Sequence, residues 1–179
     1  VISDSGKLYW IVDTYTASPW LPYSKQLRNG INYMRNSVKV TVDAYNGETN
    51  FYLSDPNDPI IKTYSAIFPN LFKNMSAMPK DLKKHIRYPK ELFKTQASLF
   101  ATYHMTDPKT FYNKEDLWEI PAHSEKAMDP YYLIMKLPGE KKEEYVLLLP
   151  YTPAKRDNLA AWFAARCDGD SYGKLIVYA

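Results

Sequence analysis

Residues 38–55, VKVTVDAYNGETNFYLSD, constrain the fold more than any other stretch of this chain. Asn46-Gly47 sits between two alternating runs rich in β-branched and aromatic residues. Both residues tolerate positive φ, so the dipeptide reads as a two-residue type I′ turn closing a hairpin. That turn predicts a register pairing Ala44 with Thr49, Val42 with Phe51 and Val40 with Leu53. Val38, Val40, Val42, Phe51 and Leu53 then share one face, with Val42 and Phe51 expected to be buried together. Lys39, Thr41, Asp43, Asn50 and Tyr52 share the other. A slip of one residue would mix the two sets.

The flanking sequence supplies further elements. Residues 7–15, KLYWIVDTY, read as a first strand. Residues 16–30 carry two prolines and no steady period, so an ordered loop is expected there. Residues 31–37 read as a short helical turn. Asp58-Pro59 is a helix start, joining a capping oxygen to a proline at the first helical position. A second helix opens near Pro79 with Leu82 and Ile86 inward, and Pro89 must end or kink it. Leu92, Phe93, Gln96, Leu99, Phe100 and Tyr103 form the clearest amphipathic helical pattern. Asp107-Pro108 repeats the capping device for a shorter helix ending near Trp118.

Residues 131–137 and 144–150 are nearly continuous apolar runs, as expected of interior strands covered on both faces. Residues 138–143 join them as a hairpin loop. Residues 158–166 read as a helix capped by Asp157, with Leu159, Trp162 and Phe163 inward. Gly169 and Gly173 bracket a turn before a last strand. The sum is an α+β fold: a mainly antiparallel sheet with two hairpins and a helical middle segment, in a single domain over residues 1–179.

Composition narrows the chemistry. A formal charge of +3 gives no reason to expect nucleic acid as a partner. One cysteine, Cys167, excludes an intrachain disulfide and a cysteine-based zinc site, and it reads as a structural thiol. No phosphate-binding glycine loop, dinucleotide fingerprint, HExxH, CxxC or GxSxG occurs, so no cofactor and no metal is implied. His85, His104 and His123 are far apart and read as surface or capping residues. No run approaches the roughly 18 apolar residues of a membrane span. The chain opens at Val1, closes on LIVYA and reads as a piece of something longer.

Two surface features carry functional readings. Tyr15, Trp20 and Tyr23, with Arg28 nearby, form an aromatic loop braced by prolines. Such a loop suits a rigid platform for a sugar or peptide, while core packing of the same side chains is the plainer reading. Lys80, Lys83, Lys84 and Arg87 recur at helical spacing opposite Leu82 and Ile86. That stripe fits either an anionic envelope surface or an ordinary solvated helix face.

Several runs carry a resemblance: NYMRNSVKVTVDAYNGETNFYLSDPNDPI, IFPNLF, the long stretch containing HIRYPKELF, and LLLPYTPAKRDNLAAWFAARCDGDSYGKLIVY. Together they resemble a family of large uncharacterised bacterial multi-pass membrane proteins (an uncharacterised protein family, UPF class), over nearly the whole chain. The resemblance implies membrane spans outside this piece, with the piece itself in a long soluble, extracytoplasmic region of a cell-membrane protein. The family carries no assigned catalytic residues. A non-enzymatic module with an unknown protein or envelope partner is therefore favoured. The alternative is an enzyme acting on an envelope component, with Asp13 or Asp43 as the catalytic acid.

Overall fold

The computed structural model describes residues 1–27, 29–123 and 126–179. They form two compact units, Val1–Ile86 and Arg87–Ala179, each with its own α+β arrangement and mostly antiparallel pairing. The boundary falls inside the stretch read as one basic helix, where the sequence carries no linker.

In the first unit, β1 (Tyr9–Ser18), β2 (Tyr33–Asp43), β3 (Thr49–Leu53) and β4 (Phe72–Asn74) lie in that order. Only β3 and β4 run parallel. The β2–β3 hairpin keeps the predicted faces but in a register shifted by two: Val40 meets Phe51 and Val42 meets Thr49. The cause is Asp43. Its Oδ1 accepts hydrogen bonds from the amides of Tyr45 (2.8 Å) and Asn46 (3.3 Å), which winds residues 44–47 into a four-residue loop. Gly47 takes φ +74°, whereas Asn46 stays at negative φ, so the type I′ turn does not form.

Both faces of this sheet are covered, not one. Val38 and Val40 pack with Ile61 of α1 (Pro59–Ile67), while Tyr52 on the opposite face joins Met78, Leu82 and Ile86. Thr41 is therefore buried and Val42 is only half-buried, against the expected pairing with Phe51. Lys39 is 1% exposed, and its ammonium is paired with Asp13 across the β1–β2 ladder. Residues 33–37 continue β2 in place of the expected helical turn, and β1 extends to match, with Ala17 opposite Met34 and Ser18 opposite Tyr33.

Asp58 caps α1 as predicted, accepting from the amides of Ile60 and Ile61, and Pro59 opens the helix. The same carboxylate accepts hydrogen bonds from the Tyr33 hydroxyl and from Ser37 Oγ (2.9 Å), tying the helix start to β2. Burial alone would push this carboxyl up. Hydrogen bonds from Tyr33, Thr16, Ser37 and Ile61 outweigh it and hold the group below the usual aspartate range. Its stabilisation is thus present above about pH 4 and is lost as pH falls through the depressed folded value. Asp58→Ala should cost about 2 kcal/mol near neutral pH. The difference from wild type in chemical denaturation should shrink on acidification, and a pH-independent difference would refute the linkage.

The second helix, α2 (Lys80–Lys83), is a single turn, although Leu82 and Ile86 are buried as expected.

In the second unit, α3 (Lys90–Tyr103) and α4 (Pro108–Asn113) precede β5 (Trp118–Glu119), the paired strands β6 (Ala122–His123) and β7 (Lys126–Ala127), then β8 (Tyr131–Lys136), β9 (Glu143–Pro153), β10 (Ala161–Arg166) and β11 (Leu175–Tyr178). The sheet runs β11-β10-β9, with β8 and β5 pairing with successive stretches of β9, residues 143–148 and 152–153. Val146, Leu147, Leu148 and Leu149 are buried on both faces, as their apolar run predicts. β8 is instead an edge strand with Ile134 exposed.

The predicted helix over residues 158–166 is a strand at the centre of this sheet, with Leu159 exposed and no helix for Asp157 to cap. Alanine favours helices in isolation, but here tertiary pairing overrides propensity. Ala161, Phe163 and Ala165 alternate onto one sheet face and pack with Phe93, Ala97 and Ala101 of α3. The small residues admit the helix, and Phe163 stacks on Phe93 at 4.9 Å between ring centroids. The Tyr151 hydroxyl donates to the Ala97 carbonyl at 2.7 Å, fixing the helix on β9. The predicted α3 stripe thus turns toward its alanines, leaving Tyr103 exposed. Asp107 caps α4 through the Thr110 amide, and Lys114, at φ +54°, ends it before Trp118. Cys167 is buried in this core, where it accepts a hydrogen bond from the Tyr88 amide at 3.5 Å. Burial pushes its thiol pKa up, as expected of a structural thiol.

Candidate functional site

Between β1 and β2 the chain forms an ordered loop whose organiser is Asn32. Its Oδ1 accepts from the Leu21 amide (2.9 Å), and its Nδ2 donates to the carbonyls of Leu21 (2.8 Å) and Ser24 (3.3 Å). The Asn32 amide donates to the Ser18 carbonyl, and Ser24 Oγ donates to the Asn32 carbonyl. Ser18 Oγ in turn accepts from the Trp20 amide. One side chain therefore does for residues 18–24 what a strand partner would otherwise do.

Trp20 is 84% exposed and Tyr23 fully so, which decides against core packing of these two rings. Tyr23 also takes φ +60°, a conformation that costs a residue with a Cβ on the order of 1 kcal/mol and persists only where the surroundings hold it. Asn32 supplies that hold. Tyr15 lies apart from the loop in sequence: it is a half-buried β1 residue next to a register irregularity between Thr14 and Thr16. Arg28 falls outside the described residues. Nothing in the spacing of the sequence marked Asn32 as the clamp, since asparagine in a loop has many uses.

The basic stripe is not one helical face. Lys80, Lys83 and Lys84 are exposed around the single turn of α2, and the Lys84 ammonium lies 3.2 Å from Asp4. Arg87 opens the second unit, with its guanidinium 4.4 Å above the Tyr145 ring.

The acids considered for catalysis are engaged structurally. Asp13 is paired with Lys39, and Asp43 caps the hairpin loop, where the Tyr45 amide above all holds its carboxyl below the usual range. His104 caps α3, its Nδ1 3.1 Å from the Phe100 carbonyl, and stacks on Trp118 at 3.7 Å. Its Nε2 lies 3.4 Å from Asp116. Among the described residues no three histidine, cysteine, aspartate or glutamate side chains are grouped to hold a metal ion. No described helix is long and apolar enough to cross a membrane.

Residues 1–179 match the description of an uncharacterised protein family, UPF0182, throughout. The chain is 66% identical over 178 residues to a UPF0182 protein of Geotalea uraniireducens and 65% identical to one of Geobacter sulfurreducens. It is 56% identical over 183 residues to another from Pelotomaculum thermopropionicum. In each case 99–100% of this chain is covered but only 20% of the relative, so the chain spans about a fifth of the length of these curated relatives. No solved structure matches it. The chain belongs to the UPF0182 family of uncharacterised proteins.

Proposed function

We propose that this chain is a non-enzymatic binding module in the extracytoplasmic part of a longer cell-membrane protein, and that the Trp20–Tyr23 loop captures a neutral glycan of the envelope. The observation that carries this reading is the pre-set exposure of two aromatic rings. A loop that spends backbone strain at Tyr23 and side-chain bonds at Asn32 holds Trp20 and Tyr23 in water, where large apolar area gains nothing unless a ligand covers it. Residues 16–24, TASPWLPYS, carry no charge, which suits a neutral ring surface better than an anionic one. Membrane anchorage rests on the family resemblance and on the relatives' greater length.

The test uses the full-length protein in detergent, titrated with soluble neutral glycan fragments of the cell wall. The comparison is a Trp20→Ala/Tyr23→Ala variant. Loss of the two anchors should weaken binding by roughly 30-fold, the scale of interface hot spots. Folding should change by less than about 0.5 kcal/mol, since both side chains are solvent-exposed. Equal affinity of the two proteins, or no glycan binding by either, would overturn the proposal.

A further inference from the structure

β1 is an edge strand, and the chain has already begun to cover it. Val1 and Tyr9 exchange both backbone hydrogen bonds: the Val1 nitrogen donates to the Tyr9 carbonyl at 2.8 Å, and the Tyr9 amide donates to the Val1 carbonyl at 2.9 Å. Ile2 bridges Leu8 in antiparallel sense, and the Ser3 amide donates to the Lys7 carbonyl. The opening residues thus run back along β1 on the side away from β2.

In an antiparallel ladder, successive residues direct their backbone groups to opposite edges. The Ala44 amide donates to the Leu8 carbonyl, so Leu8, Trp10 and Val12 address β2, whereas Tyr9, Ile11 and Asp13 address the outer edge. Val1 takes the outward pair of Tyr9. Beyond it, among the described residues, no strand other than β2 pairs with β1. Trp10, at 68% exposed, and Val12, at 43%, project from this same strand. A long edge carrying exposed apolar residues is a template for strand pairing, which natural sheets generally cover.

We propose that the residues directly preceding Val1 in the intact protein form a fifth strand of this sheet, continuing the antiparallel pairing along β1. The occupant is this same polypeptide. Val1 is seated in register at the point where the strand must start, and the chain spans only about a fifth of its relatives' length. The register follows from the Val1–Tyr9 pair. The first residue before Val1 faces Trp10, the second exchanges hydrogen bonds with Ile11, the third faces Val12 and the fourth pairs with Asp13. The sheet of the first unit is then completed from outside residues 1–179.

The test places cysteine pairs in a full-length protein otherwise free of cysteine. Positions facing one another without mutual hydrogen bonds lie about 4.5 Å apart at Cα, within disulfide reach. Trp10→Cys with a cysteine directly before Val1, and Val12→Cys with one three residues before Val1, should each close an intramolecular disulfide. Val12→Cys with the cysteine directly before Val1 should not. Equal linking in matched and mismatched pairs, or links only between molecules, would overturn the proposal, the latter by giving the edge to a second copy. Amide exchange on the unsubstituted full-length protein is independent of any variant's folding. Ile11 and Asp13 should exchange as slowly as Trp10 and Val12, and exchange at the rate of exposed loop amides would overturn the proposal.

Discussion

Truncation of Phe93 to alanine is expected to destabilise the second unit by about 4 kcal/mol, the upper-middle range for a buried aromatic ring. Phe93 is fully buried, stacks on Phe163 and meets Tyr88 edge-on at 6.3 Å. Its neighbours Ala97 and Ala101 are too small to close over the space left. A whole domain is stable by only about 5–15 kcal/mol, so the change should be plain in denaturant unfolding. It should also appear as faster amide exchange across residues 146–149. Phe93→Leu should recover more than half of the loss. A cost below about 1 kcal/mol for the alanine variant would mean that α3 is not held on the sheet by this ring.

Replacing Arg166 should have an effect of similar size by a different route. Its Nε donates to Glu144 Oε2 at 2.6 Å and its Nη1 to Glu140 Oε1 at 2.7 Å, while Nη2 completes a fork on Glu144. Arg166 and Glu144 are both largely withdrawn from water, whereas Glu140 is more open. Arg166→Ala leaves the Glu144 carboxylate without its main counter-charge and should cost about 3 kcal/mol or more. Arg166→Met combined with Glu144→Leu removes both charges and should recover most of that loss. Additive costs in the pair, measured by a double-mutant cycle, would show that the interaction is not the source.

These two positions also show where the sequence was legible and where it was not. Local chemistry could be read directly: Asp58 and Asp107 cap the helices they precede, and the alternation in residues 38–53 sorts side chains onto the observed faces. The register could not be read, because the Asp43 side chain reaches two amides ahead and sets a longer loop than Asn46-Gly47 alone would choose. The AWFAAR segment could not be read either. Its identity as a strand depends on β9 and β11 lying on either side and on α3 packing above it, none of which is local. The ion cluster around Arg166 was hidden by the same error, since a helix would have aimed that side chain elsewhere. At the candidate site, the aromatic residues were visible in the sequence. Their exposure and the Asn32 clamp emerge only from the folded loop.

The burial of Cys167 gives the molecule a built-in chemical clock. It is the single thiol in these 179 residues, shielded in the core and held in its protonated, unreactive form. A thiol-alkylating reagent can reach it only when the second unit opens. The rate at which the protein acquires one alkyl group, read by intact mass, therefore reports the opening of that unit alone. The first unit carries no thiol and stays silent, so the second can be timed by itself within the intact molecule.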